Sequence, residues 1–299
     1  MDRIETQRLL FRKARGEDLL PAWNNIWKDE ILAKGVVAAK DSALIVDEMN
    51  WSLASRYIMK NDLMILDMIA NGNWDRPIYF VSVGPGNDTN IRDYFQCEGF
   101  AYKLVPIKTK FDYQDVGHIN TDVLYDKLMN KFRWGNMGKP NVYLDENIRR
   151  TLHIVKVRNN FGRLAIALQQ EGKADSAIAV LNRGLEVLPP EKAYFDYYDS
   201  KFIEALFACN HERASEIATS IMNTAYNDLL YYASLKPVFY ASTENKRQMC
   251  MINAQSVLDI ARTYKHAELQ KELDSIFEEM YSIYSGNLSA NEVKKLSRK

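Results

Sequence analysis

No apolar run in this sequence approaches the roughly 18–20 residues that a membrane span requires. The opening, MDRIETQRLLFRK, has no apolar h-region and does not read as a secretory signal. Taken alone, the chain is expected to be soluble. Cysteine is scarce: Cys97, Cys209 and Cys250 are odd in number and far apart. Neither a disulfide framework nor a zinc site follows from them, and the redox compartment stays open. Glycine and proline are also few, 13 and 8 in 299 residues, beside a 47% hydrophobic content. That balance describes a globular core and argues against disorder or a fibrous repeat. Charge of one sign is not in excess, since Lys+Arg and Asp+Glu are both 39. A dedicated nucleic-acid binder would carry a basic footprint, so that class is disfavoured.

Catalytic signatures are missing as well. There is no GxxxxGK(S/T) and no GxSxG, and His118, His153, His211 and His266 lack HxxxH or HExxH spacing. Such scattered histidines are expected on the surface or in packing, so no metal and no cofactor is anticipated. The pairs Asp145-Glu146 and Glu278-Glu279 read as solvated faces or helix starts.

What is present begins with a mixed segment. Residues 4–11 suggest a strand, 18–30 a helix with Pro21 near its start, and 41–49 a brief helix. Residues 61–71 have helical spacing, and Gly72 and Asn73 stop them. Ile78-Tyr79-Phe80-Val81 then form an apolar run after Pro77, the pattern of a strand covered on both faces in a parallel sheet. A helix over 90–98, closed by Gly99, and a strand over 100–107 complete an α/β unit. Between the 78–81 strand and that helix, GPGND offers Gly84, Gly86, Asn87 and Asp88 as ligand contacts at a strand end. Thr89 stands where the third glycine of GxGxxG would be, so a tight turn is the expected role.

After about residue 118 the pattern turns helical. Residues 120–133 form an amphipathic helix, and WGNMGKPN at 134–141 marks a segment boundary. The expected fold is α+β but mainly α: an α/β segment over 1–118 and a helical region over 119–299. Within the latter, 158–190 fits a tetratricopeptide unit. Leu164, Ala165 and Leu168 pack the first helix, and Gly172 marks the turn. Ala177 gives the close helix contact, Leu181 and Gly184 the inner face, and Pro189 the end. Further pairs are expected at 197–226, whose turn CNHER has lost the glycine, and at 248–284. Gln169–Ala174 formally matches an acetyl-CoA loop but falls at the turn of this unit. Tyr194, Phe195, Tyr197, Tyr198 and Phe202 read as packing between repeats.

Two family resemblances cover different parts of the chain. The stretches KNDLMILDMIANGNWDRPIYF, DYFQCEGFAYKLVPIK, NTDVLYDKLMNKFRWGNM and VYLDENIRR carry the first. Across about 31–285 the chain resembles the C-terminal soluble region of a bacterial family of multi-pass membrane proteins related to protein O-mannosyltransferases. That resemblance implies an extracytoplasmic domain with a polypeptide partner or acceptor. The acid expected to catalyse transfer lies in a preceding membrane-embedded part, so no catalytic residue carries over. Trp74, Asp75, Arg76 and Pro77 are a signature of this family, expected to pin the helix–strand junction by packing and a charge-assisted hydrogen bond. Residues 2–30 instead resemble the opening strand and helix of GNAT acetyltransferases, which implies acetyl-CoA chemistry as the alternative function. The two together suggest a truncated or rearranged gene product, the alternative being that the first 30 residues are this domain's own start.

Overall fold

A computed structural model describes residues 22–24, 28–50, 60–81, 90–110, 112, 115–154 and 156–286. The chain is mainly helical with a small sheet in its N-terminal part, and it divides into two compact units, Met1–Lys131 and Phe132–Lys299. The division falls just ahead of the loop 134–141.

In the first unit, β1 (Ala22–Asn24) pairs antiparallel with β2 (Glu48–Asn50). Residues 22–24 are therefore strand rather than part of the helix expected over 18–30. Pairing with a segment more than twenty residues away outweighs the local helical pattern. Helix formation begins at α1 (Lys28–Ala33), and a 3-10 turn, Ala39–Leu44, replaces the brief helix expected over 41–49. The strand expected over 4–11 lies outside the described residues. Helix α2 (Lys60–Asn71) matches its expectation.

The main sheet contains β3 (Tyr79–Phe80), β4 (Phe95–Cys97), β5 (Tyr102–Leu104) and β6 (His118–Ile119), in the order β3-β5-β4-β6. Only β4–β6 is parallel; β3–β5 and β4–β5 are antiparallel. The parallel, doubly covered strand expected at 78–81 is thus an antiparallel edge strand, with Tyr79 and Val81 exposed. The cause lies in the helix expected over 90–98. It ends as a 3-10 turn at Tyr94, and the chain enters β4 at once. Strand β5 then folds back through Gly99 and Phe100, where the Glu98 amide bonds to the Ala101 carbonyl at 2.9 Å. A tight hairpin gives antiparallel neighbours, and β5 takes the place beside β3.

One face of the sheet is apolar. Phe95 and Leu104 join Met49, Ile69, Ile91, Tyr94 and Val116 in one core cluster. Ile31, Val36, Val37, Ile45, Val105 and Ile107 form a second. The unit closes with α3 (Thr121–Tyr125), capped by the Asn120 side chain, and a π-helix, Asp126–Lys131.

Among its described residues the second unit has helices and no strand. Its elements are α4 (Glu146–Ile154), α5 (Val157–Gln170), α6 (Ala174–Val187), α7 (Ser200–Ala208), α8 (Ala214–Ala233), α9 (Pro237–Tyr240), α10 (Glu244–Thr263) and α11 (Ala267–Tyr284). Three antiparallel pairs, α5/α6, α7/α8 and α10/α11, turn in the same way. Each first helix ends on a residue of positive φ: Gly172 (75°), Asn210 (50°) and Lys265 (57°). The following amide in each case bonds to the carbonyl five residues back, Lys173 to Leu168, His211 to Leu206 and His266 to Ala261. This is the Schellman closure, in which Gly is favoured and Asn accepted at the left-handed position. The loss of glycine from CNHER is therefore met by Asn210.

Candidate functional site

The Trp74 turn follows α2. Asn73 and Trp74 both take positive φ, 45° and 60°, an uncommon conformation for residues with a Cβ. Half-buried Trp74 packs against both core clusters. Asp75 pairs with Lys34 at 2.7 Å, and Lys34 also pairs with Glu30 at 2.7 Å and donates to the Asn73 carbonyl. These two carboxylates hold the Lys34 pKa above its ordinary value. The ion pair thus ties the turn to the end of α1, while Arg76 and Pro77 are exposed. Gly84, Gly86, Asn87 and Asp88 lie outside the described residues.

Opposite the apolar face, the sheet carries a polar row. Tyr79, Lys103, Gln96 and His118 stand directly across from one another on β3, β5, β4 and β6, and directly opposed residues share a face. Glu98, two residues beyond Gln96, is buried. Its carboxylate accepts from the Tyr79 hydroxyl at 2.9 Å, from Gln96 Nε2 at 3.0 Å, and from the Lys127 ammonium of the π-helix. Lys103 donates to the Val36 carbonyl at 3.0 Å. At the far end of the row, His118 Nε2 lies 3.3 Å from Asp41 Oδ2, which also accepts from Asn120. Lys40 reaches Thr121 and Asp122.

Burial alone would push the Glu98 carboxyl up, but Lys127, Tyr79 and Gln96 outweigh it and hold its pKa below the ordinary 4.5. Burial raises the Tyr79 phenol to about 12, with Glu98 adding to the shift. Burial lowers the Lys103 ammonium, Glu98 opposes this, and Lys127 adds to the lowering. Chemically, a carboxylate held by three donors braces β3, the β4 end and the π-helix against one another. The residue spacing alone pointed to none of these partners.

In the second unit, Leu164, Ala165, Leu168, Ala177, Leu181 and Gly184 are buried, while Gly172 sits in the exposed turn and Pro189 at the end of α6. Arg158 and Asn159, absent from the sequence reading, organise the loop that follows. Fully buried Arg158 pairs with Asp199 Oδ2 at 2.9 Å and donates to the carbonyls of Leu188, Pro189, Ala193 and Tyr194. Its guanidinium lies 4.1 Å from the centre of the Phe195 ring. Asn159 Oδ1 accepts from the amides of Lys201 and Phe202 at the start of α7. Locally Arg158 is one charged residue in the polar first turn Val157–Asn160, and its partners lie 30 to 41 residues on.

Among the described residues, no helix is long and apolar enough to cross a membrane, and no group of three or more His, Cys, Asp or Glu is placed to hold a metal ion. No curated protein and no solved structure matches the chain. Residues 20–123 match the family model described as TMEM260-associated domain 2. The match begins ahead of residue 31, where the membrane-protein resemblance was drawn, and takes in residues 20–30 of the stretch likened to acetyltransferases. It holds the Trp74 turn, the sheet and most of the polar row's partners, and so links just over a third of the chain to that family of associated domains.

Proposed function

We propose that this chain is a non-catalytic accessory domain of a membrane-anchored, glycosyltransferase-like protein, in which the helical pairs hold an acceptor polypeptide or a neighbouring subunit. The observation that carries the reading is the match of residues 20–123 to a TMEM260-associated domain, TMEM260 being O-mannosyltransferase-like. The helical pairs are read as tetratricopeptide-like repeats. Supporting this are the common left-handed turn at Gly172, Asn210 and Lys265 and the small residues Ala177 and Gly184 at helix contacts. The membrane-protein resemblance supports reading the domain as extracytoplasmic.

The test is made in a full-length relative carrying its membrane half. Removing the region equivalent to this chain should leave protein abundance unchanged and abolish glycosyl transfer to a polypeptide acceptor. Adding this chain back should restore part of the transfer. Unchanged transfer to the polypeptide after removal would sink the proposal. Loss of the membrane half itself would favour a bracing role instead.

A further inference from the structure

The segment Asp126–Lys131 is a six-residue π-helix that continues α3 without a break. Such geometry usually appears as a single widened turn, often at a site of function. Nothing in the local sequence DKLMNK asks for it: the segment has no proline or glycine, and Leu, Met and Lys are good α-formers. The cause must be tertiary.

Three contacts mark the register. Lys127 reaches buried Glu98 on the sheet. Leu128 is fully buried. Asp126 and Lys131 pair at 2.6 Å across five residues, a spacing that a π turn brings together, whereas an α-helix juxtaposes residues three and four apart. That last pair is largely exposed, and exposed pairs contribute little. It follows the register rather than setting it. Glu98 differs, because its side chain is 5% exposed and a buried carboxylate deprived of its cation is costly. Closing each turn one residue earlier would swing successive side chains around the helix axis. Lys127 and Leu128 could not then both keep their places.

We infer that Asp126–Lys131 has two accessible helical registers and that the Glu98–Lys127 pair selects the π form. The sheet thereby sets the geometry of the last element of the first unit, and the α register is the state reached when the pair is broken.

The experiment compares the full chain with the double variant Glu98→Met/Lys127→Met by crystallography or backbone NMR. Both charges are removed together, so no lone charge is left in the interior. The expected result is a folded first unit in which the Lys131 amide bonds four residues back rather than five. Retention of the π pattern in that variant overturns the inference. So does loss of the folded first unit, because the pair would then be holding the sheet rather than choosing a register. Lys131→Ala should keep the π pattern; conversion by this change alone would assign the register to the exposed pair and also overturn the inference.

Discussion

Gly162 sits where the α5 backbone passes close to the backbone at the start of α7. A Cβ there would lie 2.5 Å from both the Lys201 carbonyl oxygen and the Phe202 Cα. Both are backbone atoms, so no side-chain rotation relieves the clash. Gly184 is a milder case, since its nearest obstacle is the Phe202 ring at 2.7 Å. Gly162→Ala is therefore expected to destabilise the second unit by about 3 kcal/mol, the upper range for overpacking. A urea denaturation midpoint unchanged from the parent would contradict this account. The pattern of small and large residues pointed to Gly184 as a packing position. It did not single out Gly162, because a glycine inside a helix carries no mark of what faces it.

At the scale of elements, the loop between α6 and α7 is held less by its own sequence than by Arg158. The Arg158–Asp199 side chains are 0% and 3% exposed, so the pair has little access to water. Removing one partner of such a pair leaves an uncompensated charge and costs about 3–5 kcal/mol, whereas replacing both by apolar groups is often tolerated. Asp199→Ala should fall in that range, and Arg158→Met/Asp199→Leu should recover much of the loss. A double variant no better than the single change would show that the carbonyl contacts of Arg158, not its ion pair, dominate. The helices of this region were legible in advance because their period and turn residues are local. Helical turns at 171–173 and 209–213 fall where Gly172 and CNHER placed them, and the turn at 264–266 lies inside the pair expected over 248–284. The sheet was not legible in the same way. Ile78–Val81 is apolar enough for a buried strand, but its edge position follows from how β5 folds back, and no residue of β3 records that.

For the molecule as a whole, acid acts on the two units through different groups. In the second unit, buried His211 accepts the Arg213 amide at Nδ1, so its proton is on Nε2, facing Asn182 Oδ1 at 3.0 Å. A second proton would cost the Nδ1 bond. Burial lowers its pKa below the ordinary 6.5, and nearby Arg213 adds to this against Glu212. The sign follows directly. Above about 6.5 both folded and unfolded chains hold neutral histidine, and its contribution is complete. As pH falls below that value, the unfolded chain takes up a proton that the folded one resists, and stability declines. Urea midpoints of the second unit should therefore drop between about pH 7 and pH 5, and His211→Gln should flatten that dependence; an equal slope in the variant would remove His211 as its cause. In the first unit Glu98 acts lower, since its depressed pKa gives a contribution present above 4.5 and lost as pH falls through the folded value.

The sequence by itself determined the helical character of the second unit, its hairpin turns and the absence of a long apolar span, because periodicity and turn chemistry are written within a few neighbouring residues. It also carried the likeness to a membrane-protein domain, borne by stretches such as KNDLMILDMIANGNWDRPIYF. Only the tertiary structure decided that β5 separates β3 from β4, that Asp75 answers Lys34, and that Glu98 draws Lys127 into a π turn. Those outcomes depend on which distant groups meet in the interior. There an unpaired charge costs more than local preference can offset.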